Sequence, residues 1–212
     1  ERVAEELAKL KQYLREAKAY AEMKERAEKA GGPKPAPDLA LEAMIPLVRG
    51  QRPAIVPADH FRDIRAAIEF AEEFGLKLII AGGADAWKIP ELLKQKNVAV
   101  LYDAVHSLPR LTEDPYDAPF TTPEVLRRAG VRFAIVSGSS SDLRNLPYRA
   151  AMAAAYGLER DDALKSITLW PAEILGIADR TGSIEVGKLA NLLVARGDPL
   201  DIRTEVKYVF IE

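Results

Sequence analysis

The sequence predicts an α/β fold in which parallel strands alternate with helices. Two observations point to it. Short apolar runs begin near residues 54, 77, 98 and 131, and strands apolar on both faces belong to a sheet covered on both sides. Amphipathic stretches separate these runs at intervals of about 21–33 residues, a length that suits βα units. Four such units make half of a (β/α)8 barrel or most of an open doubly wound sheet, and periodicity alone does not choose between them. No GxGxxG or GxxxxGK[ST] follows any run, so a nucleotide-phosphate cradle is unsupported.

The elements follow in order. Residues 1–30 contain no Gly or Pro, and Val3, Leu7, Leu10, Leu14, Ala17 and Ala21 fall on one stripe, which predicts a long amphipathic helix. That stripe packs on the body of the protein or on a partner helix. Residues 31–37, Gly-Gly-Pro-Lys-Pro-Ala-Pro, form a break. Asp38 then caps a short helix over residues 39–48, disturbed at Pro46. The runs at 54–56, 76–81, 98–101 and 131–136 are the strands. Helices are expected at 63–74, 84–95, 124–129 and 148–156, with Gly75, Gly130 and Gly157 behind three of them. Thr122 and Pro123 pair as N-cap and first residue of the third of these. Residues 161–166 and 172–177 add short helical pieces. Residues 192–195 and 206–211 are strands with no helix after them, which predicts a small antiparallel sheet beside the α/β body.

The 212 residues hold 30 basic and 32 acidic side chains, a net charge of −2, which gives no electrostatic reason to expect nucleic acid or an anionic membrane as partner. The absence of cysteine excludes disulfides, thiolate metal sites and a cysteine nucleophile. No apolar run approaches about 18 residues, so no membrane span is expected. The compartment stays open between cytoplasm and periplasm. The chain begins at Glu1 without Met, and is expected to be a piece of a longer protein.

Residues 168–176, Thr-Leu-Trp-Pro-Ala-Glu-Ile-Leu-Gly, are followed at 179–188 by Asp-Arg-Thr-Gly-Ser-Ile-Glu-Val-Gly-Lys, then by Asp198-Pro199-Leu200 and a strand ending in Val209-Phe210-Ile211. In this order they resemble the C-terminal signature of the amidohydrolase superfamily, nearest its imidazolonepropionase-like branch. Residues 64–83 and 145–158 resemble the same branch, and the likeness covers about residues 40–212. It implies the C-terminal half of a (β/α)8 TIM barrel, strands five to eight, plus C-terminal strands of a small β-sandwich. Residues 1–37 are then a helix and linker, 38–178 half of the barrel and 179–212 the sandwich tail. The missing N-terminal half is the implied partner and carries the family's H-x-H ligand pair. The implied chemistry is metal-assisted hydrolysis of a C–N bond, non-peptide or cyclic amide, in a small molecule: zinc lowers the pKa of a bound water and an aspartate takes the proton.

The sequence departs from that pattern where metal ligands belong. Pro57 stands where the family places a histidine after strand five, and Gly82 where it places one after strand six. After strand eight, residues 137–142 read Ser-Gly-Ser-Ser-Ser-Asp, with Asp142 several residues beyond the family's aspartate. Zinc is thus the implied cofactor, but no metal ligand is assigned. Asp103 and Asp142 are the candidate catalytic residues. Pro57, Asp59, His60, Gly82, Asp85, His106, Ser137 and Ser139 are expected to line the pocket. Asp59 and Asp85 also read as helix caps, His60 and His106 as locally bonded loop residues, and the three serines at 139–141 as an anion site or a plain loop. Trp87 and Trp170 read as core. The alternative to a hydrolase is a catalytically degenerate relative that binds a small ligand or serves a structural role. Half a barrel leaves two sheet edges open, so packing on the missing half or homo-oligomerisation is expected.

Overall fold

Strands β1 (Ala54–Ala58), β2 (Leu78–Gly82), β3 (Ala99–Tyr102) and β4 (Phe133–Ile135) stand side by side in chain order in the computed structural model, which describes residues 2–31 and 35–212. Glu1 and the centre of the predicted break, Gly32, Pro33 and Lys34, lie outside the described residues. β2, β3 and β4 pair in parallel, with Ile80, Val100 and Phe133 in register. The chain divides into two compact units, Glu1–Ala54 with Glu69–Leu78, and Ile55–Ile68 with Ile79–Glu212.

In the first unit, α1 (Arg2–Ala30) packs on α2 (Leu39–Val48). Of the stripe predicted for α1, Leu14, Ala17 and Ala21 are buried, with Tyr20 buried beside them, whereas Val3, Leu7 and Leu10 are exposed. Asp38 caps α2: its Oδ1 accepts from the N–H groups of Ala40 at 2.9 Å and Leu41 at 3.0 Å. Glu42 ties the helices together by accepting from the Tyr20 hydroxyl at 2.8 Å and from Lys24 Nζ at 2.5 Å. Pro46 sits inside α2 without ending it.

In the second unit the sheet carries the core. Ile80, Val100, Ala134 and Ile135 are almost wholly buried, as continuous apolar strands require. Ile79 and Ala99 are buried as well, and the partly buried Leu101 and Val136 pack against them and Ala134. The connecting helices are α3 (Phe61–Phe74), whose first half lies in this unit, α4 (Pro90–Gln95), α5 (Ala118–Ala129), α6 (Leu146–Ala155), α7 (Arg160–Lys165) and α8 (Leu169–Leu175). Trp170 meets Phe133 edge-on at 5.1 Å, a packing residue as expected. Strands β5 (Leu192–Arg196) and β6 (Glu205–Phe210) pair antiparallel, with a bulge between Val194 and Ala195. Leu193, Tyr208, Val209 and Phe210 on this ribbon are exposed.

Two helix boundaries differ from expectation. Residues 84–95 are not one helix: Ala86–Lys88 forms a single 3-10 turn, and Pro90 starts a new helix because its ring fixes φ and removes a donor. α5 begins at Ala118, so Pro123 lies within it and is not its first residue. A proline there frees the carbonyl four residues back, that of Pro119. The buried Tyr102 hydroxyl donates to that carbonyl at 2.9 Å, so the freed acceptor is satisfied and the helix continues.

Truncating Ile80, fully buried in β2, is expected to cost about 2–5 kcal/mol. Denaturant unfolding of Ile80→Ala in the intact protein measures this.

Candidate functional site

The residues that directly follow the four strands converge on one cavity of about 410 Å³. Asp59 follows β1, Ala84 and Asp85 follow β2, Asp103 follows β3, and Ser137 and Gly138 follow β4. This is the C-terminal side of the strands, where parallel α/β sheets place their ligands.

Backbone bonds hold the first two loops together. The Asp59 carbonyl accepts from the Asp85 N–H at 2.9 Å, and the Ala58 carbonyl accepts from the Gly83 N–H at 2.9 Å. Asp59 Oδ1 also accepts from the Ala84 N–H at 3.3 Å. Asp85 is buried, and its Oδ2 accepts from the Phe61 N–H at 3.2 Å, which caps the start of α3 from across the loop. Its Oδ1 has no well-aligned hydrogen bond but lies 3.3 Å from Lys88 Nζ. Lys88 Nζ is also 2.8 Å from Asp114, so one ammonium bridges two buried carboxylates. Burial alone would lower the Lys88 pKa; the bonds to Asp114 and Asp85 outweigh it and hold Lys88 above its ordinary value.

On the other side, the buried Arg149 of α6 joins two loops. It donates to the Asp103 carbonyl and pairs with the Asp142 carboxylate. Asn145 Nδ2 also donates to Asp142, at 2.5 Å. Arg149, and then Asn145, hold the Asp142 carboxyl below the usual aspartate range. Asp103 differs: burial first, then the negative charge of Asp59, raise its pKa against the pull of Arg149. Of the two candidate acids, Asp103 is therefore the better proton acceptor and Asp142 the better structural anion.

Four of the expected site residues meet in the cavity: Asp59, Asp85, Asp103 and Ser137. The others lie outside its lining. Pro57 is inside β1 with an exposed ring, one residue short of the strand's end. Gly82 ends β2 beneath the Asp59 carboxylate. His60 lies beside Asp85, its Nδ1 3.6 Å from Oδ2. His106 is exposed at the end of the turn Ala104–His106. Ser139 is exposed and shares a hydrogen bond with Ser141 at 3.0 Å. Asp142 is drawn aside by Arg149.

The cavity also holds residues not anticipated: Trp87, Tyr102, Arg110, Asp114 and Arg149. Trp87, expected in the core, lines the cavity with Lys88 Nζ 5.1 Å from its ring centroid. Arg149 carried a legible signal, as the one charged residue in the run Leu-Pro-Tyr-Arg-Ala-Ala-Met-Ala-Ala-Ala. A lone charge on a small-residue helix needs a buried partner.

A zinc ion needs three or four N, O or S ligands converging at about 2 Å. These residues do not fit one. Proline and glycine at 57 and 82 bring no donor, Asp142 is engaged by Arg149, and Lys88 already supplies the cation between Asp85 and Asp114. Among the described residues no group of three or more His, Asp or Glu side chains is arranged to hold a metal. No helix among them is long and apolar enough to cross a membrane.

The raised pKa of Asp103 has a direct consequence. Its proton is held more tightly in the folded chain, so its contribution to stability is fully present below the ordinary aspartate value of about 3.9 and is lost as pH rises through the folded value. Asp103→Asn is expected to raise Tm at pH 7, with the gain fading below about pH 4. Thermal melts at both pH values measure it.

Residues 120–211 match the amidohydrolase family. The chain is 32% identical over 107 residues to the imidazolonepropionase of Mesorhizobium japonicum, a match over 49% of this chain and 25% of that protein. It is 26% identical over 183 residues to the amidohydrolase tasK of Hapsidospora irregularis, over 82% of this chain and 18% of that one. A crystal structure of an amidohydrolase from Thermotoga maritima superposes with a TM-score of 0.83 at 35% identity, over 96% of this chain and 53% of the other. The chain thus spans a quarter or less of the two curated relatives and about half of the solved neighbour.

Proposed function

We propose, from the premise that this chain belongs to the amidohydrolase superfamily on its imidazolonepropionase-like side, that it keeps the superfamily scaffold and uses the strand-end cavity to bind a small polar molecule without a zinc ion of its own. In this reading the sheet and its helices are the second half of a (β/α)8 barrel. β5 and β6 belong to a small β-sandwich, and an N-terminal half completes both. Support for the architecture comes from the chain-order sheet and the match of nearly the whole chain to about half of an amidohydrolase.

The single observation that carries the binding reading is the donor set at the strand ends. Asp59, Gly82, Asp103 and Ser137 stand there, with no imidazole among them. The cavity is concave, charged and hydrogen-bonding, with Asp59 and Asp103 as acceptors, Arg110 and Arg149 as donors, and Trp87 and Tyr102 as walls. Such a lining orients a small ligand by polar contacts.

The second reading is hydrolysis of a C–N bond, non-peptide or cyclic amide. The raised pKa of Asp103 favours it, since a half-buried carboxylate with a strengthened hold on protons suits general-base work.

Metal content and turnover separate the two. The intact protein, purified without chelator, is expected to retain far less than one zinc ion per chain and to leave N-acyl amino acids and cyclic amides unhydrolysed. Stoichiometric zinc with chelator-sensitive turnover overturns the binding reading and establishes the hydrolytic one. The sandwich has its own test. Phe210→Asp, on the exposed ribbon, is expected to lower the Tm of the intact protein by several degrees, because covered apolar surface does not tolerate a carboxylate. An unchanged Tm means that this face is open to water.

A further inference from the structure

At the far end of β2, Gly82 has φ +98°, and a Cβ placed on it would lie 2.5 Å from Asp59 Oδ1 and 3.2 Å from Asp59 Cγ. Beyond β4 the same relation recurs. Gly138 has φ +72°, and its Cβ would lie 2.9 Å from Asp103 Oδ2 and 3.2 Å from Asp103 Cβ. In both cases the carboxylate that follows one strand leans over a glycine of the next, at the end of β2 and in the loop just beyond β4. Contacts below about 3 Å lie well inside van der Waals separation for carbon and oxygen.

The Asp59 carboxylate does not swing away without loss of a bond. Asp59 Oδ1 accepts from the Ala84 N–H at 3.3 Å, and the Asp59 carbonyl accepts from the Asp85 N–H at 2.9 Å. The Asp103 backbone is held by Arg149 through its carbonyl. A side chain at 82 would therefore have to displace a bonded carboxylate as well as adopt a backbone conformation that L residues rarely take.

We infer that Asp59 and Asp103 have taken the volume into which strand-end side chains at 82 and 138 would project, so the absence of metal-ligating groups there is fixed by packing between neighbouring strand ends. The inference rests on the metal-free reading of this cavity. Its consequence is specific: Gly82 and Asp59 form one unit. A side chain can return to position 82 at tolerable cost only when the carboxylate at 59 is removed. Restoring a single ligand residue to this strand end does not rebuild a donor set.

A double-mutant cycle in the intact protein tests the coupling, with Tm as readout, and is independent of zinc content. Gly82→Ala alone is expected to lower Tm by on the order of 5–10 °C, from the displaced carboxylate plus the positive φ. In the Asp59→Ala background the same substitution is expected to lower Tm by no more than about half as much, the φ contribution alone. Should Gly82→Ala fail to fold, a folded Asp59→Ala/Gly82→Ala protein supports the inference. Equal losses in both backgrounds, or a double variant that also fails to fold, overturn it, because φ alone then accounts for the glycine. Metal analysis can fail the metal-free reading while the cycle still shows coupling, so the two failures are distinguishable.

Discussion

The Arg149 guanidinium is the interaction on which the cavity depends. It is buried, it donates to the Asp103 carbonyl and it pairs with Asp142. One side chain therefore positions the loop after β3 and the loop after β4 against α6. A planar group with five donors can hold a carbonyl and a carboxylate at once, where a lysine would hold one point. Arg149 draws both acids downward but prevails only at Asp142, so the two shift in opposite directions. Asp142 is drawn into a pair and becomes a weaker base. Asp103, touched through its backbone, is left to feel burial and Asp59 and becomes a stronger one. Neither state follows from the aspartates alone.

The opposite wall is organised by a second internal cation. Lys88 lies between Asp85 and Asp114, and Asp85 in turn caps α3 through the Phe61 N–H. Tyr102 completes the frame by meeting the carbonyl that Pro123 leaves without its helical donor. These three contacts answer one requirement, that every buried polar group in a loop-built cavity have a partner. They also leave several charges of the cavity unavailable to a ligand. Several of its charges are already committed to holding the loops.

Much of the fold was legible in the sequence because it rests on local pattern. Apolar runs mark β1 to β4 to within two or three residues, and Asp38 marks the start of α2. The strand-end aspartates 59 and 103 were legible for the same reason, since each is the first polar residue after an apolar run. What was not legible depends on partners distant in sequence. Pro123 looks like a helix start until the Tyr102 hydroxyl is seen to meet the Pro119 carbonyl. Asp142 looks like a cavity acid until Arg149, seven residues on, is seen to draw it aside. His60 and His106, the two histidines of the chain, attract attention by residue type alone, yet neither lines the cavity. The N-terminal stripe of α1 shows the limit of periodicity, for Val3 and Leu7 fall on the helix face that Leu14 buries but are themselves exposed.

The run 168–187 carries the resemblance to the amidohydrolase family, and its best-packed residues are structural: Trp170 packs on Phe133, and Ile174 joins the core with Ile79, Ala99 and Ala134. Scaffold and strand ends therefore report different things. Core packing tolerates little change, because a lost contact leaves a cavity or an unpaired group, so the signature reports on the scaffold. A strand end facing a cavity is free of that constraint until something fills it. Here the filling groups are Asp59 over Gly82 and Asp103 over Gly138. Once a carboxylate is bonded in that space, the glycine beneath it becomes a packing position like any in the core. A site can in this way pass from chemical constraint to steric constraint with no change in the fold that carries it, which is why resemblance along the signature is strong evidence for the scaffold and weak evidence for the reaction.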